Sequence, residues 1–148
     1  MTALRRATRD DLHAVLALQR AAYAKNRTIL GVEPLPLKAD YSQVFADYEV
    51  YLAERDGALD GVLILEPRAD DLLIWSIATA PEAQGQGVGN QMLAFAEQRA
   101  RALGLACMRL YTGEPLTFNI AWYTRRGYVY ERTEDMGDRR ALHLVKQL

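Results

Sequence analysis

Six consecutive residues near the middle of the chain are suited by type and spacing to hold a phosphate group. They are Gln84, Gly85, Gln86, Gly87, Val88 and Gly89, followed by Asn90. The apolar residues after them recur at helical spacing, so this glycine loop (residues 84–89) stands at the start of a helix. The first amides of a helix lack partners within it, and the helix dipole adds positive potential there. Glycines let the backbone approach a ligand closely, so the glycine loop predicts a site for a pyrophosphate.

Two nucleotide-binding motifs share the glycine-rich character of this segment. A P-loop ends in Gly-Lys-Ser/Thr, whereas Gly89 is followed by Asn90 and Gln91. A dinucleotide-binding fingerprint requires a third glycine where Asn90 stands, and it normally lies in an early βαβ unit. Both motifs are therefore disfavoured. A tight turn without a ligand is the remaining structural alternative.

The hydrophobic periodicity predicts the order β-α-α-β-β-β-α-β-α-β-β. The first helix is capped by Asp10 and ends near Ala24, and residues 25–39, with one glycine and two prolines, are expected to form a long loop. The predicted strands are residues 3–7, 50–55, 61–66, 72–79, 105–111, 128–134 and 141–146, and the later predicted helices are residues 41–47, from the glycine loop to Gly104, and 117–126.

Composition limits the classes of function. The chain has 148 residues and a formal net charge of -1, which suits one domain (residues 1–148) without a basic field for nucleic acid or a membrane surface. The single cysteine, Cys107, and the widely separated His13 and His143 predict no metal site. Residues 1–12 lack the apolar stretch of a secretion signal, and the longest apolar run is too short to span a bilayer, so a cytoplasmic location is expected.

Two segments together resemble the GNAT family of N-acetyltransferases. Residues 80–93 are similar to the acetyl-CoA signature of that family, whose core is Gln/Arg-x-x-Gly-x-Gly/Ala, and Gln84, Gly87 and Gly89 match it. Residues 110–112 and 119–128 look like the second motif of the same family. With the matching order of elements, the resemblance extends over essentially the whole chain.

The resemblance implies a single α/β domain of the α+β type. Its mixed, mostly antiparallel sheet would have about seven strands flanked by about four helices. Residues 72–79 and 105–111 would run parallel and splay apart to admit the pantetheine arm of acetyl-CoA. The implied contacts are the backbone of Ile77, Ala78 and Thr79, the glycine loop with Asn90, and Asn119, Tyr123 and Arg126.

The resemblance also implies direct transfer of the acetyl group to a primary amine, without an acetyl-enzyme intermediate. Tyr123 would protonate the departing thiolate, because a phenol is a reasonable donor to a thiolate at neutral pH.

Two of the implied contacts have purely structural alternatives. Asn119 could instead only cap its helix, and Arg126 could either bind a phosphate of CoA or only complement the C-terminal end of its helix. The alternative function is a regulatory module that binds acyl-CoA without transfer.

The acceptor is expected to lie against residues 25–41, with Glu33, Tyr41 and Trp75 as candidate contacts. Trp75 could equally belong to the core. The strand before the glycine loop contains no carboxylate, so Glu33, Glu114 or a chain of water molecules would accept the proton of the amine. The acceptor would be a small molecule or a peptide, and the C-terminal hairpin could pair across a homodimer.

Overall fold

The computed structural model describes residues 3–148, and its seven strands form one sheet. The strand order is β1-β2-β3-β4-β5-β7-β6, and every neighbouring pair is antiparallel except β4 and β5, which run parallel. This mixed, mostly antiparallel sheet confirms the predicted fold class. The strands are β1 (Ala3–Arg6), β2 (Glu49–Arg55), β3 (Ala58–Pro67), β4 (Leu72–Thr79), β5 (Cys107–Gly113), β6 (Val129–Asp135) and β7 (Arg140–Gln147).

Helices cover both faces of the sheet. Alternation of side chains along a strand places neighbouring residues on opposite faces. Ser76 of β4 bonds to side chains of the first helix, whereas Gly61 of β3 faces Met92 and Val88 of the fourth. The helices are α1 (Leu12–Leu30), α2 (Leu35–Lys38), α3 (Tyr41–Asp47), α4 (Val88–Ala102) and α5 (Thr117–Thr124), with short 3-10 turns at Arg9–Asp11 and Pro81–Ala83.

The parallel strands β4 and β5 pair over a short distance and then separate. Their register positions are Leu72 with Met108 and Leu73 with Arg109. The C-terminal part of β4 continues to pair with β3, and that of β5 with β7, so each strand keeps one partner. The remaining backbone edges of β4 and β5 therefore face a gap in the middle of the sheet.

The first helix is longer than the sequence predicted. The expected loop at residues 25–39 is wrong in its first part, because α1 continues through Leu30. Residues 25–30 contain neither glycine nor proline, so nothing interrupts the helix before Gly31, whose φ of 73° ends it in the left-handed region. The next turn, α2, was also not predicted, and it begins after Pro34. Six of the seven predicted strands differ slightly in their bounds, and β4 agrees at both ends.

The core lies where β2, β3 and β4 are covered by α1, α3 and α4. Both faces of these central strands are buried, which explains their continuous apolar runs. Val62, Leu63, Ile64 and Leu65 of β3 are all fully buried. The edge strand β6 contrasts with them, because Val129 and Tyr130 are exposed. The expected homodimer through this hairpin stays a prediction.

Two valines provide a matched test of this core. Val62 is 0% exposed and Val129 is 60% exposed, and both lie in strands. We expect Val62→Ala to lower the free energy of unfolding by about 2–3 kcal/mol, because it removes buried methyl groups and leaves a cavity. The same change at Val129 should cost less than about 1 kcal/mol. Urea-induced unfolding measures both values, and equal losses would contradict the assigned core.

Candidate active site

A cavity of about 770 Å³ occupies the gap between β4 and β5. Its walls are the end of β4, the glycine loop, α5 and the C-terminal half of α1. Most of the predicted site residues meet here, although they come from separate parts of the chain. They are Trp75, Ile77, Ala78, Thr79, Gln84, Gly85, Gly87, Val88, Gly89, Asn90, Asn119 and Tyr123.

The glycine loop presents free amides to one end of this cavity. Gly87 is the N-cap of α4, and its carbonyl accepts the first helical hydrogen bond from the amide of Gln91 at 3.1 Å. The amides of Val88, Gly89 and Asn90 precede that bond and have no helical partner. Gly85 and Gly87 have φ near +80°, and no other residue lies within 4 Å of where a Cβ would be. The loop is therefore open and shaped to receive an anion.

The end of β4 directs polar backbone groups into the gap. The amide of Ala80 donates to the carbonyl of Asp60 next to β3 at 2.8 Å. Successive residues of a strand point their backbone groups to alternate edges, so Ala78 also faces β3. Ile77 and Thr79 then turn their amides and carbonyls toward the gap. Two of the three predicted backbone contacts are thus placed to meet a ligand between the strands.

Tyr123 lies at the border between the glycine loop and the gap. Its ring packs edge-on against Trp122 and Tyr128, at centroid distances of 4.9 and 5.6 Å. Within residues 3–148 its hydroxyl makes no hydrogen bond, so the hydroxyl is available to a ligand. Burial, with a smaller contribution from nearby Tyr23, raises the pKa of Tyr123 above the ordinary value. The phenol consequently holds its proton at neutral pH and can donate a hydrogen bond.

Arg126 connects α4 and α5, the two helices at the end of the cavity that contains the glycine loop. Its Nε donates to Asn90 Oδ1 at 2.8 Å and its Nη1 donates to the carbonyl of Trp122 at 2.8 Å. The guanidinium also lies 4.0 Å from the centre of the Trp122 ring. Arg126 therefore positions Asn90 and α5, and it does not itself line the cavity. A direct contact with a CoA phosphate stays a prediction.

Three other predicted residues also lie outside the cavity wall. The side chain of Gln86 turns back to the carbonyl of Glu82. Tyr41 is only 4% exposed, and its hydroxyl donates to the carbonyl of Pro36 at 2.7 Å while accepting from Gln19. The hydroxyl of Tyr41 is therefore part of the core. The centre of the Trp75 ring lies 6.3 Å from the centre of the Tyr41 ring, so Trp75 packs against this residue.

The third is Glu33, one of the two carboxylates considered as a base. Its side chain pairs with Arg27 at 2.9 Å, and that of Glu114 pairs with Arg140 at 3.2 Å. Neither carboxylate lines the cavity. Of the residues that the structure describes, those that line the cavity include no aspartate or glutamate.

The sequence did not single out the hydroxyl groups of the α1 side of the cavity. Tyr23 and Ser76 share a hydrogen bond of 2.8 Å, and Gln19 donates to Ser76 at 3.0 Å. Burial raises the pKa of Tyr23, against a smaller opposing effect of that hydrogen bond. The missed signal is the spacing of Gln19, Tyr23 and Asn26 on one face of α1, which is visible once the helix extends past residue 24.

Comparison with known proteins relates this architecture to one family. The sequence model described as "Acetyltransferase (GNAT) family" matches residues 12–128. The chain belongs to the GNAT family. Its elements resemble those of the PaiA N-acetyltransferase from Thermoplasma acidophilum, solved in complex with coenzyme A, with a TM-score of 0.83 and 18% identity over 100% of this chain and 99% of that one.

Two relatives match at higher sequence identity. An amino-acid acetyltransferase from Ralstonia nicotianae is 32% identical over 95% of this chain, and an S-alkylcysteine N-acetyltransferase from Bacillus subtilis is 30% identical over 90% of it. The chain spans 29% of the length of the Ralstonia protein and 83% of the Bacillus protein.

Two further observations concern metal sites and membrane spans in the described residues. In residues 3–148, no cluster of three or more histidine, cysteine, aspartate or glutamate side chains has a geometry that could hold a metal ion. The same part of the chain has no helix with the length and apolar character needed to cross a membrane.

The partly buried phenol of Tyr123 predicts a loss of stability at alkaline pH. Its folded pKa lies above the ordinary value of 10.0, so above pH 10.0 the unfolded chain releases this proton more readily than the folded chain. We expect the free energy of unfolding to fall with pH there, and to fall less steeply in Tyr123→Phe, by up to about 1.4 kcal/mol per pH unit. Urea unfolding at several pH values measures the two slopes. Parallel slopes above pH 10.0 would contradict the assigned shift.

Proposed function

We propose that this protein transfers an acetyl group from acetyl-CoA to a primary amine by direct attack within a ternary complex. One observation carries the proposal: the glycine loop, the open backbone edge of β4 and the free hydroxyl of Tyr123 all border the same cavity. The names of the two relatives, an amino-acid acetyltransferase and an S-alkylcysteine N-acetyltransferase, support acetyl transfer to an amine.

The cavity fits the two ends of acetyl-CoA. The free amides of Val88, Gly89 and Asn90 at the start of α4 would hold the pyrophosphate, where the helix dipole favours negative charge. The pantetheine arm would lie in the gap and bond to the backbone groups of Ile77 and Thr79, as a strand does in β-augmentation. Gln84 and Asn119 would add side-chain hydrogen bonds along the way.

Acetyl-CoA supplies an acetyl thioester, and the residues around the gap would stabilise its displacement. The neutral amine nitrogen attacks the thioester carbonyl carbon, a C–N bond forms and the C–S bond breaks. An amide of Ile77 or Thr79 would bind the developing negative charge on the carbonyl oxygen, a contribution of about 3 kcal/mol for a well-placed donor. Tyr123 would donate its proton to the departing thiolate and would regain one through the water that accepts the proton of the amine.

The amine must lose its own proton before or during this attack. An amine like that of lysine has a pKa of about 10.4 and is almost fully protonated at neutral pH. Because the described cavity wall contains no carboxylate, the proton would pass to water in the open cavity. Cys107 is not required, since no acetyl group is carried by the enzyme.

A non-catalytic module that binds acyl-CoA is the alternative function. It would use the glycine loop and the gap in the same way but would not require Tyr123. Release of free CoA thiol with a panel of amino acids, polyamines, aminoglycosides and peptides separates the two. Tight binding of acetyl-CoA without turnover on any amine would favour the alternative.

Replacement of Tyr123 by phenylalanine tests the role of its hydroxyl. That hydroxyl makes no hydrogen bond within the described chain, so its removal should leave the fold intact. We expect kcat to fall by about 100-fold or more, as is usual when a general acid is lost. The Kd of acetyl-CoA, measured by calorimetry, should change by less than about threefold. Unchanged kcat at saturating substrates would refute the acid role.

Glycines at the two ends of α4 provide a test of the donor site. Gly87 precedes the helix and Gly104 follows it, both have positive φ, and at neither position would an added Cβ meet another residue within 4 Å. Alanine should therefore strain the backbone by about 1 kcal/mol at either position. We expect Gly87→Ala to weaken acetyl-CoA binding by about tenfold or more, because its methyl group enters the space for the pyrophosphate.

The control variant, Gly104→Ala, should bind acetyl-CoA as the wild type does. Calorimetry gives both affinities and thermal unfolding gives the strain. Equal affinities in the two variants would mean that the glycine loop serves only as a turn.

A further inference from the structure

The charged groups on the cavity wall are of one sign. Lys25 and Arg139 line the cavity, and the described residues that line it include no carboxylate. An acceptor that carries several positive charges would therefore find no anionic partner in this wall and would be repelled by any cation there that lacks an anionic partner of its own. An acceptor with a negative group would be attracted. The distribution of charge thus distinguishes between classes of amine.

Lys25 is the cation available for such a contact. Its side chain projects from α1 two residues after Tyr23, which bonds to Ser76 on β4. Within residues 3–148, Lys25 forms neither an ion pair nor a hydrogen bond. The adjacent Asn26 also lines the cavity and adds an amide that can donate a hydrogen bond.

Arg139 reinforces this end of the cavity from the turn between β6 and β7. Its side chain is only 7% exposed, and Asp138 holds it through two hydrogen bonds of 3.0 Å. A third hydrogen bond, of 2.6 Å, runs from its Nη1 to the carbonyl of Glu33. Arg139 is consequently fixed in place, with its charge shared with Asp138, and Lys25 is left as the unpaired cation of the described cavity wall.

The position of Lys25 separates it from the donor site. The glycine loop leads into α4, which covers the sheet face opposite to α1. The gap between β4 and β5 connects the two faces. A molecule held by Lys25 would approach the gap from the α1 side and would meet the thioester next to Ile77 and Thr79.

We propose, resting on the function above, that the acceptor is a small amine that also carries a carboxylate, and that Lys25 binds this carboxylate. The amide of Asn26 contributes to the same subsite. The amine group would then project past Tyr23 and Ser76 into the gap. Polyamines would be poor acceptors, because the described wall offers their additional charges no anion.

Paired acceptors test the proposal with the wild-type protein. Each of several amino acids is compared with its carboxamide, which keeps the amine and the side chain but loses the negative charge. We expect kcat/KM to be about tenfold or more higher for the acids, a ratio typical of a charge-assisted hydrogen bond. A polyamine completes the set, and equal or better turnover of amides or polyamines would overturn the proposal.

Two lysine variants assign the effect to Lys25. Lys25→Met removes the charge and keeps much of the side-chain length, and it should lower kcat/KM for the acids by about tenfold while changing that for the amides by less than about threefold. The control is Lys38→Met in α2, because Lys38 is exposed and does not line the cavity. We expect this variant to keep the wild-type preference.

The outcomes distinguish this proposal from the proposed function. If wild-type protein binds acetyl-CoA but acetylates no amine of either class, the proposed function itself fails. If Lys25→Met changes the KM of acetyl-CoA rather than that of the amine, Lys25 contacts the donor and the carboxylate subsite is refuted. If the preference for acids survives in Lys25→Met, another residue reads the carboxylate and the assignment to Lys25 is wrong.

Discussion

The separation of β4 from β5 is the constraint on which the rest of the structure depends. Strands in the middle of a sheet normally satisfy their amides and carbonyls on both edges. Here the two parallel strands pair at Leu72–Met108 and Leu73–Arg109 and then move apart, so the later backbone groups of β4 lack a neighbouring strand. An extended ligand could satisfy them. The cavity, the glycine loop and α5 are all arranged around this interrupted pairing.

The same interruption gives the cavity an α4 side and an α1 side, which in the proposed function would bind the acetyl donor and the acceptor. On the α4 side, the polar groups are backbone amides and neutral side chains, which suit phosphates without competing carboxylates. On the α1 side, Tyr23, Ser76 and Gln19 form a hydrogen-bonded layer beneath the cavity. The two sides therefore present different polar groups, and the gap between β4 and β5 connects them.

The elements of the α4 side could be predicted from the sequence because their signals are local. The apolar run of β4 is bounded by Asp70 and Asp71 at one end and Pro81 at the other, and its predicted bounds agree with the structure. The glycine loop leads directly into the predicted helix. By contrast, the two prolines after residue 30 caused the predicted loop to begin at residue 25, although residues 25–30 belong to α1.

The α1 side depends on contacts between residues that are far apart in the chain, and no local sequence pattern reveals such contacts. Tyr41 has the character of a substrate contact, but its hydroxyl bonds to Gln19, which lies 22 residues earlier in the chain. The sequence alone makes Glu33 a candidate base, but its carboxylate pairs with Arg27, which lies in the part of α1 that the sequence did not predict. Residues 25–41 were expected to contact the acceptor, but the presence of Lys25 and Asn26 on the cavity side of α1 requires the helix to continue past residue 24. Between Tyr41 and Glu33, only the pairing of Glu33 follows from the underestimated length of α1, because Gln19 already lies within the predicted part of that helix.

The hydrogen bond from Arg126 to Asn90 has a thermodynamic consequence for the two ends of the donor site. It joins the helix that carries Tyr123 to the first turn of α4, and the stacking of Arg126 on Trp122 strengthens the same connection. An anion that orders the first turn of α4 would therefore also restrict the motion of α5. By reciprocity, a well-ordered α5 would favour the anion. The affinity of the first turn of α4 for an anionic ligand would then rise as the orientation of the Tyr123 phenol on α5 becomes better defined, and the reverse would also hold.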